Sequence, residues 1–301
     1  MEDYALVLEN VSKKFGDTVA VDCLDAALPA GCIYGFLGPN GAGKTTTLRM
    51  VMDIIRPDSG TIRVLGHSAA GRVKDGIGYM PEERGLYRKM TARRVLSFIA
   101  GIKGVLPAEV PIAVNHWLRK VGLEDRADSK VEELSRGMQQ KLQFAATVVS
   151  DPQLVILDEP FSGLDPVNLD LVKEVMSGFR SQGKTVIFST HMMEQAEKIC
   201  DYLLLINKGR KVIDGTLEQI RSRYTSDRVL VEAEDPEYLP GRLPGVAEVT
   251  RQGRKIELVL AEGGDSQKIL QALAGRTRLR SWEIKLPDLH EIFVRLVREE
   301  R

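Results

Sequence analysis

The spacing of apolar residues along this chain changes character several times, and each change predicts a different kind of element. From Ala5 to Leu37, three β-type runs, ALVLENV, TVAVDCLDAAL and CIYGFLG, are parted by Lys-Lys-Phe-Gly-Asp and Pro-Ala-Gly turns. Thr45–Ile54 reads as a helix, stopped by Pro57-Asp-Ser-Gly60, and Thr61–Leu65 as a short strand. A strand from Gly76 breaks at Pro81 into a charged, Gly-punctuated loop reaching Tyr87. Between about Thr91 and Ser150 the period turns helical: TARRVLSFIAGIKG, AEVPIAVNHWLRKVG and RGMQQKLQFAATVVS follow one another with no strand between. This predicts a helical insertion, about residues 86–150, in an α/β core. Apolar strands return at Gln153–Leu157 and Thr185–Thr190, with a Phe161–Pro166 turn and a helix through Leu171–Phe179 between them. Asp201–Ile206 and Arg210–Ile213 are short strands around the Asn207-Lys-Gly209 turn.

Near Arg221 the texture changes, and Arg-Ser-Arg-Tyr-Thr-Ser-Asp reads as a linker. Beyond it VLVEAE, GVAEVTR, KIELVLA and LRSWEIK read as strands, SQKILQALAG and LHEIFVRLVREE as helices. The expected division is 1–220, an α/β core, and 227–301, a small α+β domain, in keeping with the length of 301 residues.

Composition narrows the setting. Hydrophobic residues make up 43% and charged ones 28%, ordinary for a water-soluble globular chain. Lys+Arg and Asp+Glu balance at 42 each, which argues against a nucleic-acid-binding surface. No apolar stretch approaches the length of a membrane span, and the acidic, strand-like start is unlike a signal peptide. Cys23, Cys32 and Cys200, odd in number and set in apolar runs, are expected to be buried free thiols in a reducing, cytosolic compartment.

The chemistry concentrates after the third β-type run. Gly38-Pro39-Asn40-Gly41-Ala42-Gly43-Lys44-Thr45 fits the phosphate-loop pattern G-x-x-x-x-G-K-[ST]. Glycines let the backbone curl so that successive N–H groups point at phosphate oxygens. Lys44 offers an ammonium to the β- and γ-phosphates, the Thr45 hydroxyl a ligand for Mg²⁺, and Thr46 lies in the first turn of a helix whose positive end faces the anion. A bare match of this kind occurs by chance in Gly-rich loops; a strand before it and a helix after it favour nucleotide binding.

Several other residues carry alternatives. Phe15, alone in its turn, either folds back on the core or stacks on a purine. Glu82 is either a solvated acid or a contact for Mg²⁺ or water at a strand end. Ser135, before Arg136-Gly137-Met138, is either a plain N-cap or part of a second anion site at a helix start. Asp158 and Glu159 end an apolar strand, where adjacent acids are costly unless something charged uses them. With a phosphate loop upstream, Asp158 is the Mg²⁺ partner and Glu159 a base for water. His191, directly after a core strand, is either structural or within reach of a γ-phosphate.

In order and spacing, Gly38–Thr45, Leu134–Gln140, Leu154–Glu159, Ser162–Asp165 and His191 resemble the ATP-binding subunit of an ABC transporter, over roughly Ala5–Ile220. The resemblance implies a P-loop core with an antiparallel β arm and helical insertion, and ATP and Mg²⁺ as ligands. It implies that Phe15 stacks on adenine and that Glu82 stands where the family has its Q-loop glutamine. Ser135 and Gly137 would be the signature closing over ATP held by a partner subunit. Asp165 would lie in the D-loop, and His191 would be the switch histidine. Two departures stand out. LSRGMQQ replaces the usual LSGGQ, putting Arg136 and Met138 where Gly and Gln are expected, and Glu82 replaces Gln. The run PEERGLYRKM resembles the branch that pairs with type-2 export permeases, including those linked to sodium or drug efflux. The C-terminal segment resembles that branch's accessory domain, which points to a regulatory or docking role.

The expected function is an ATPase driving export through a separate integral membrane permease. It would sit at the cytoplasmic membrane face as a dimer, a homodimer by expectation, with two ATPs at the interface. In this scheme Lys44 and the loop amides hold the phosphates. Thr45, Asp158 and Glu82 hold Mg²⁺, Glu159 serves the water, and His191 serves the γ-phosphate. The alternative is a soluble ABC ATPase of the DNA-repair or translation type. Such translation factors usually carry two ATPase units in one chain, and the chromosome-maintenance type needs long heptad coiled coils, absent here. A module that holds ATP without hydrolysing it is disfavoured by the presence of both Glu159 and His191.

Overall fold

The computed structural model describes residues 4–68, 73–83, 85–224, 228–234, 243–261 and 263–299. The chain divides into two compact units, Met1–Leu217 and Glu218–Arg301.

The first unit holds two sheets. Strands β1 (Tyr4–Phe15), β2 (Thr18–Pro29) and β4 (Ser59–Val64) form an antiparallel arm in the order β2-β1-β4. The central sheet contains β3 (Ile33–Leu37), β5 (Ile77–Met80), β6 (Leu154–Asp158), β7 (Thr185–Thr190), β8 (Tyr202–Asn207) and β9 (Arg210–Gly215). Its order is β5-β6-β7-β3-β8-β9, parallel except for β9. Every residue of β3, β6 and β7 is buried, which explains their unbroken apolar runs: a parallel strand covered on both faces has no polar side. Helix α1 (Lys44–Val51) leaves the end of β3 and buries Leu48, Met50 and Val51. These share one core cluster with Leu6, Leu8 and Leu24 of the arm and with Tyr34 and Phe36 of β3. Each fully buried Leu or Phe there contributes about 1.5–3 kcal/mol, so the helix under the phosphate loop is firmly seated.

The helical insertion is present as expected. Helix α2 (Ala92–Ile102) is capped by Thr91, α3 (Val110–Lys120) carries Pro111 in its first turn, and α4 (Arg136–Val148) is capped by Ser135. Helix α5 (Pro166–Ser181) begins earlier than expected. The Asp165 side chain accepts from the Asn168 N–H at 2.9 Å, and Pro166 suits the first helical position, so Asp-Pro opens a helix where a turn was expected. Helix α6 (Met193–Ile199) was not expected; at 7 residues it is too short to show a period. The cysteine expectation needs correction. Cys32 is buried and Cys200 partly so, but Cys23 is exposed, because it sits at φ +45 where the β1–β2 register is irregular, and there the strand alternation fails.

The second unit carries an antiparallel sheet of β10 (Arg228–Ala233), β11 (Val246–Gln252), β12 (Lys255–Leu260) and β13 (Leu279–Lys285), in the order β11-β12-β10-β13. Val229, Val231, Ile256 and Leu258 form its core with Ile269 and Leu273 of α8 (Ser266–Ala274). Arg228 pairs with Glu257 and, at 2.9 Å, with Glu291 of α9 (Leu289–Glu299). Helix α7 (Leu217–Arg221), with Ile220 fully buried, runs into the stretch expected as linker; residues 225–227 of that stretch lie outside the described residues.

Candidate functional site

The loop between β3 and α1 is shaped by its glycines. Gly38 and Gly43 have φ +153 and +105. A Cβ on Gly38 would stand 2.2 Å from the Ile206 carbonyl oxygen, and one on Gly43 2.4 Å from that of Ala20. Only a residue without Cβ fits either place. Pro39, Asn40 and Gly41 form the exposed crest; Ala42 is buried, and Thr46 is partly buried. The Lys44 ammonium donates to the Gly38 oxygen at 2.8 Å and the Pro39 oxygen at 3.2 Å, and lies 3.5 Å from Glu159 Oε1.

Parallel pairing of β6 with β7, and of β7 with β3, sets the acids beside this loop. Asp158, fully buried, accepts from the Thr45 hydroxyl at 3.1 Å and from the Ser189 hydroxyl through the same oxygen, Oδ1. Its Oδ2 is buried and has no hydrogen-bond partner among the described residues. Burial pushes the Asp158 carboxyl above the usual range, against the pull of the Ser189 and Thr45 hydroxyls. Glu159 sits in the left-handed region at φ +51, strained for a non-glycine residue, and this bend at the strand end throws its carboxylate sideways. The His191 Nδ1 lies 3.2 and 3.1 Å from the two Glu159 oxygens. Glu159 is 7% exposed, and its carboxylate oxygens lie against the Lys44 ammonium and the His191 ring nitrogen.

Lys44, Thr45, Asp158, Glu159 and His191 thus form one connected constellation. Other residues singled out from the sequence stand apart. Phe15 is 49% exposed at the end of β1 with the Lys13 ammonium 5.4 Å from its ring centroid, so the ring does not fold back on the core. Glu82 is exposed, and among the described residues no hydrogen bond joins it to Thr45 or Asp158. The loop that carries it is held from α4: Gln143 Nε2 donates to the Pro81 oxygen at 2.8 Å and the Glu83 oxygen at 3.2 Å. Ser135 accepts from the Met138 N–H at 3.3 Å as an N-cap, and Gly137 has open space where a side chain would be. No described hydrogen bond or ion pair links either residue to Gly38–Thr46. Sequence reasoning missed Gln143 and Ser189, whose roles come from residues far along the chain.

A strand-loop-helix phosphate cradle beside two strand-end carboxylates, with a helical insertion and an antiparallel arm, defines a P-loop ATPase of the ABC type. A family described as ABC transporter matches residues 21–162, and one described as ATP-binding protein DrrA1-3-like, C-terminal domain, matches residues 215–297. The chain is 39% identical over 292 residues to the uncharacterized ABC transporter ATP-binding protein YhaQ of Bacillus subtilis (strain 168), covering 97% of this chain and 98% of that protein. It is 37% identical over 303 residues to the Nod factor export ATP-binding protein I of Sinorhizobium fredii (strain NBRC 101917 / NGR234), covering 99% and 87%. Among solved structures, an ATP-binding subunit of an ABC transporter aligns with TM-score 0.69 and 30% identity, over 73% of this chain and 92% of that one. The cbiO1 protein of Clostridium perfringens, part of the ABC transporter complex cbiONQ, aligns with TM-score 0.65 and 25% identity, over 73% and 92%. The chain belongs to the ABC transporter ATP-binding proteins and is an ATPase of transport.

Proposed function

We propose that this chain powers export through a separate integral membrane permease, as one of two identical subunits that enclose two ATPs between them at the cytoplasmic membrane face. The observation that carries the chemistry is Glu159, strained, buried and held between Lys44 and His191. That it exports is supported by the 37% identical Nod factor export relative. No helix among the described residues is long and apolar enough to cross a membrane, and the path for substrate is assigned to the permease. Nucleic acid has no place in this reading.

Lys44 and the amides from Gly38 to Thr46 hold the phosphates, Lys44 exchanging its two loop carbonyls for phosphate oxygens. The donor set suits Mg²⁺: the Thr45 hydroxyl, the unpartnered Asp158 Oδ2 and, from its loop, Glu82. Mg²⁺ supplies charge neutralisation at the phosphates. Glu159 orients and deprotonates the attacking water, and His191 holds the Glu159 carboxylate and serves the γ-phosphate. Phe15 offers its exposed ring to adenine. Ser135 and Gly137, joined to their own loop by no hydrogen bond or ion pair among the described residues, cover the ATP of the partner subunit. The division into an ATP-binding domain, 1–220, and an accessory domain, 227–301, places all of this chemistry in the first.

Detergent extraction of tagged chain from cell membranes tests the reading. An integral membrane protein is expected to co-purify and to raise ATP hydrolysis when reconstituted with the chain in vesicles. Full ATPase activity in a soluble fraction, with no membrane protein bound, would favour the soluble ABC ATPase instead.

A further inference from the structure

The Ser189 hydroxyl lies between the two acids. It is fully buried on β7, in register with Asp158 of β6. It donates to Asp158 Oδ1 and accepts from the Glu159 N–H at 3.0 Å. A hydroxyl has one proton and two lone pairs, so one oxygen makes both bonds at once. We propose that Ser189 is a positioning residue for ATP hydrolysis, setting through this one oxygen both the rotamer of Asp158 and the left-handed peptide of Glu159. The inference rests on the reading of Glu159 as the base.

Two consequences follow from the geometry. With Ser189 and Thr45 both on Oδ1, the Asp158 carboxylate is fixed from two sides and Oδ2 stays free for a ligand. The Glu159 N–H donates also to the Ser189 backbone oxygen at 3.2 Å, so the strand contact survives without the hydroxyl. What the hydroxyl adds is direction. It holds a strained peptide whose bend delivers the Glu159 carboxylate to Lys44 and His191. Small misplacements of a reacting group can lower turnover by on the order of 10²-fold. A serine that merely fills space would instead affect melting and nucleotide binding alike.

The test compares full-length Ser189→Ala and Ser189→Thr with the wild type and with Glu159→Gln. It reads kcat, KM, melting, and the affinity for a fluorescent ATP analogue with and without Mg²⁺. For Ser189→Ala, kcat is expected to fall about 10–100-fold while KM and Mg²⁺-free affinity stay within about 3-fold. The gain in affinity on adding Mg²⁺ should shrink. Ser189→Thr, which keeps the hydroxyl, should recover both, and Ser189→Cys replaces the alanine variant should that one melt early. The proposal is overturned if Ser189→Ala turns over at the wild-type rate with an unchanged Mg²⁺ response. It is overturned too if Ala and Thr are impaired alike, with nucleotide binding lost in parallel. Wild-type turnover by Glu159→Gln would remove the base assignment, and the Mg²⁺ response of Ser189→Ala would still decide the hold on Asp158.

Discussion

The Lys44 ammonium lies 3.5 Å from the Glu159 carboxylate, with the two side chains only 6% and 8% exposed. In this arrangement the buried ammonium and carboxylate face each other; under the proposed function, a phosphate that draws Lys44 away releases Glu159 for water. Removing one partner of a buried ion pair leaves an uncompensated charge. Lys44→Ala is therefore expected to weaken nucleotide binding and to destabilise the nucleotide-free protein by about 3 kcal/mol. Adding Glu159→Gln should return part of that stability without restoring binding. Chemical denaturation of the single and double variants measures both.

Asp158 gives a prediction of opposite sign. Burial raises its pKa, so the folded state keeps the proton to higher pH than the unfolded chain does. The stability this group contributes is full below the ordinary carboxyl range and is lost as pH rises through the unfolded and then the folded pKa. Wherever it is ionised, its buried charge is a burden on the empty protein. Asp158→Asn should raise the melting temperature by about 2–4 °C without nucleotide or Mg²⁺, while removing Mg²⁺-dependent hydrolysis. A lower melting temperature at neutral pH would contradict the sign.

The proposed action of Ser135 and Gly137 on the partner's ATP predicts complementation. Lys44→Ala and Gly137→Asp are each expected to be inactive. In a mixed dimer one site inherits both lesions while the other keeps an intact Lys44 and an intact Gly137. Mixing should restore up to about half the activity of that fraction of dimers, if one intact site suffices. Should mixing restore nothing in demonstrably mixed dimers, an ATP-dependent Cys cross-link between positions 40 and 137 of different chains tests the same closure directly.

A chain ended after Tyr224 keeps the whole of the first unit and all of α7. It is expected to retain nucleotide binding in the wild-type range, since every strand of the central sheet lies upstream, and to lose assembly with or coupling to the permease. Loss of nucleotide binding in a folded truncation would contradict the domain division.

What was legible in the sequence was what is local. The phosphate loop is contiguous, and Gly38, Gly43 and Lys44 announce it by type and spacing alone. Asp158 and Glu159 were legible because two acids at the end of an apolar strand need a charged user. The roles of Ser189 and Gln143 were not, because they arise from tertiary neighbours: Ser189 meets Asp158 only through the β6–β7 register, and Gln143 reaches the Glu82 loop from α4. The exposure of Cys23 and the early start of α5 depended on a bulge and a cap, where one backbone angle or one side-chain bond overrides the period.

Under the proposed function Glu159 performs the chemistry of a site that Lys44 and Asp158 organise. Steady-state ATP hydrolysis by purified Glu159→Gln, beside its affinity for MgATP, tests this most directly. Affinity is expected to stay close to wild type and turnover to slow by on the order of 10²–10⁴, the usual contribution of a general base. Hydrolysis near the wild-type rate would contradict this role.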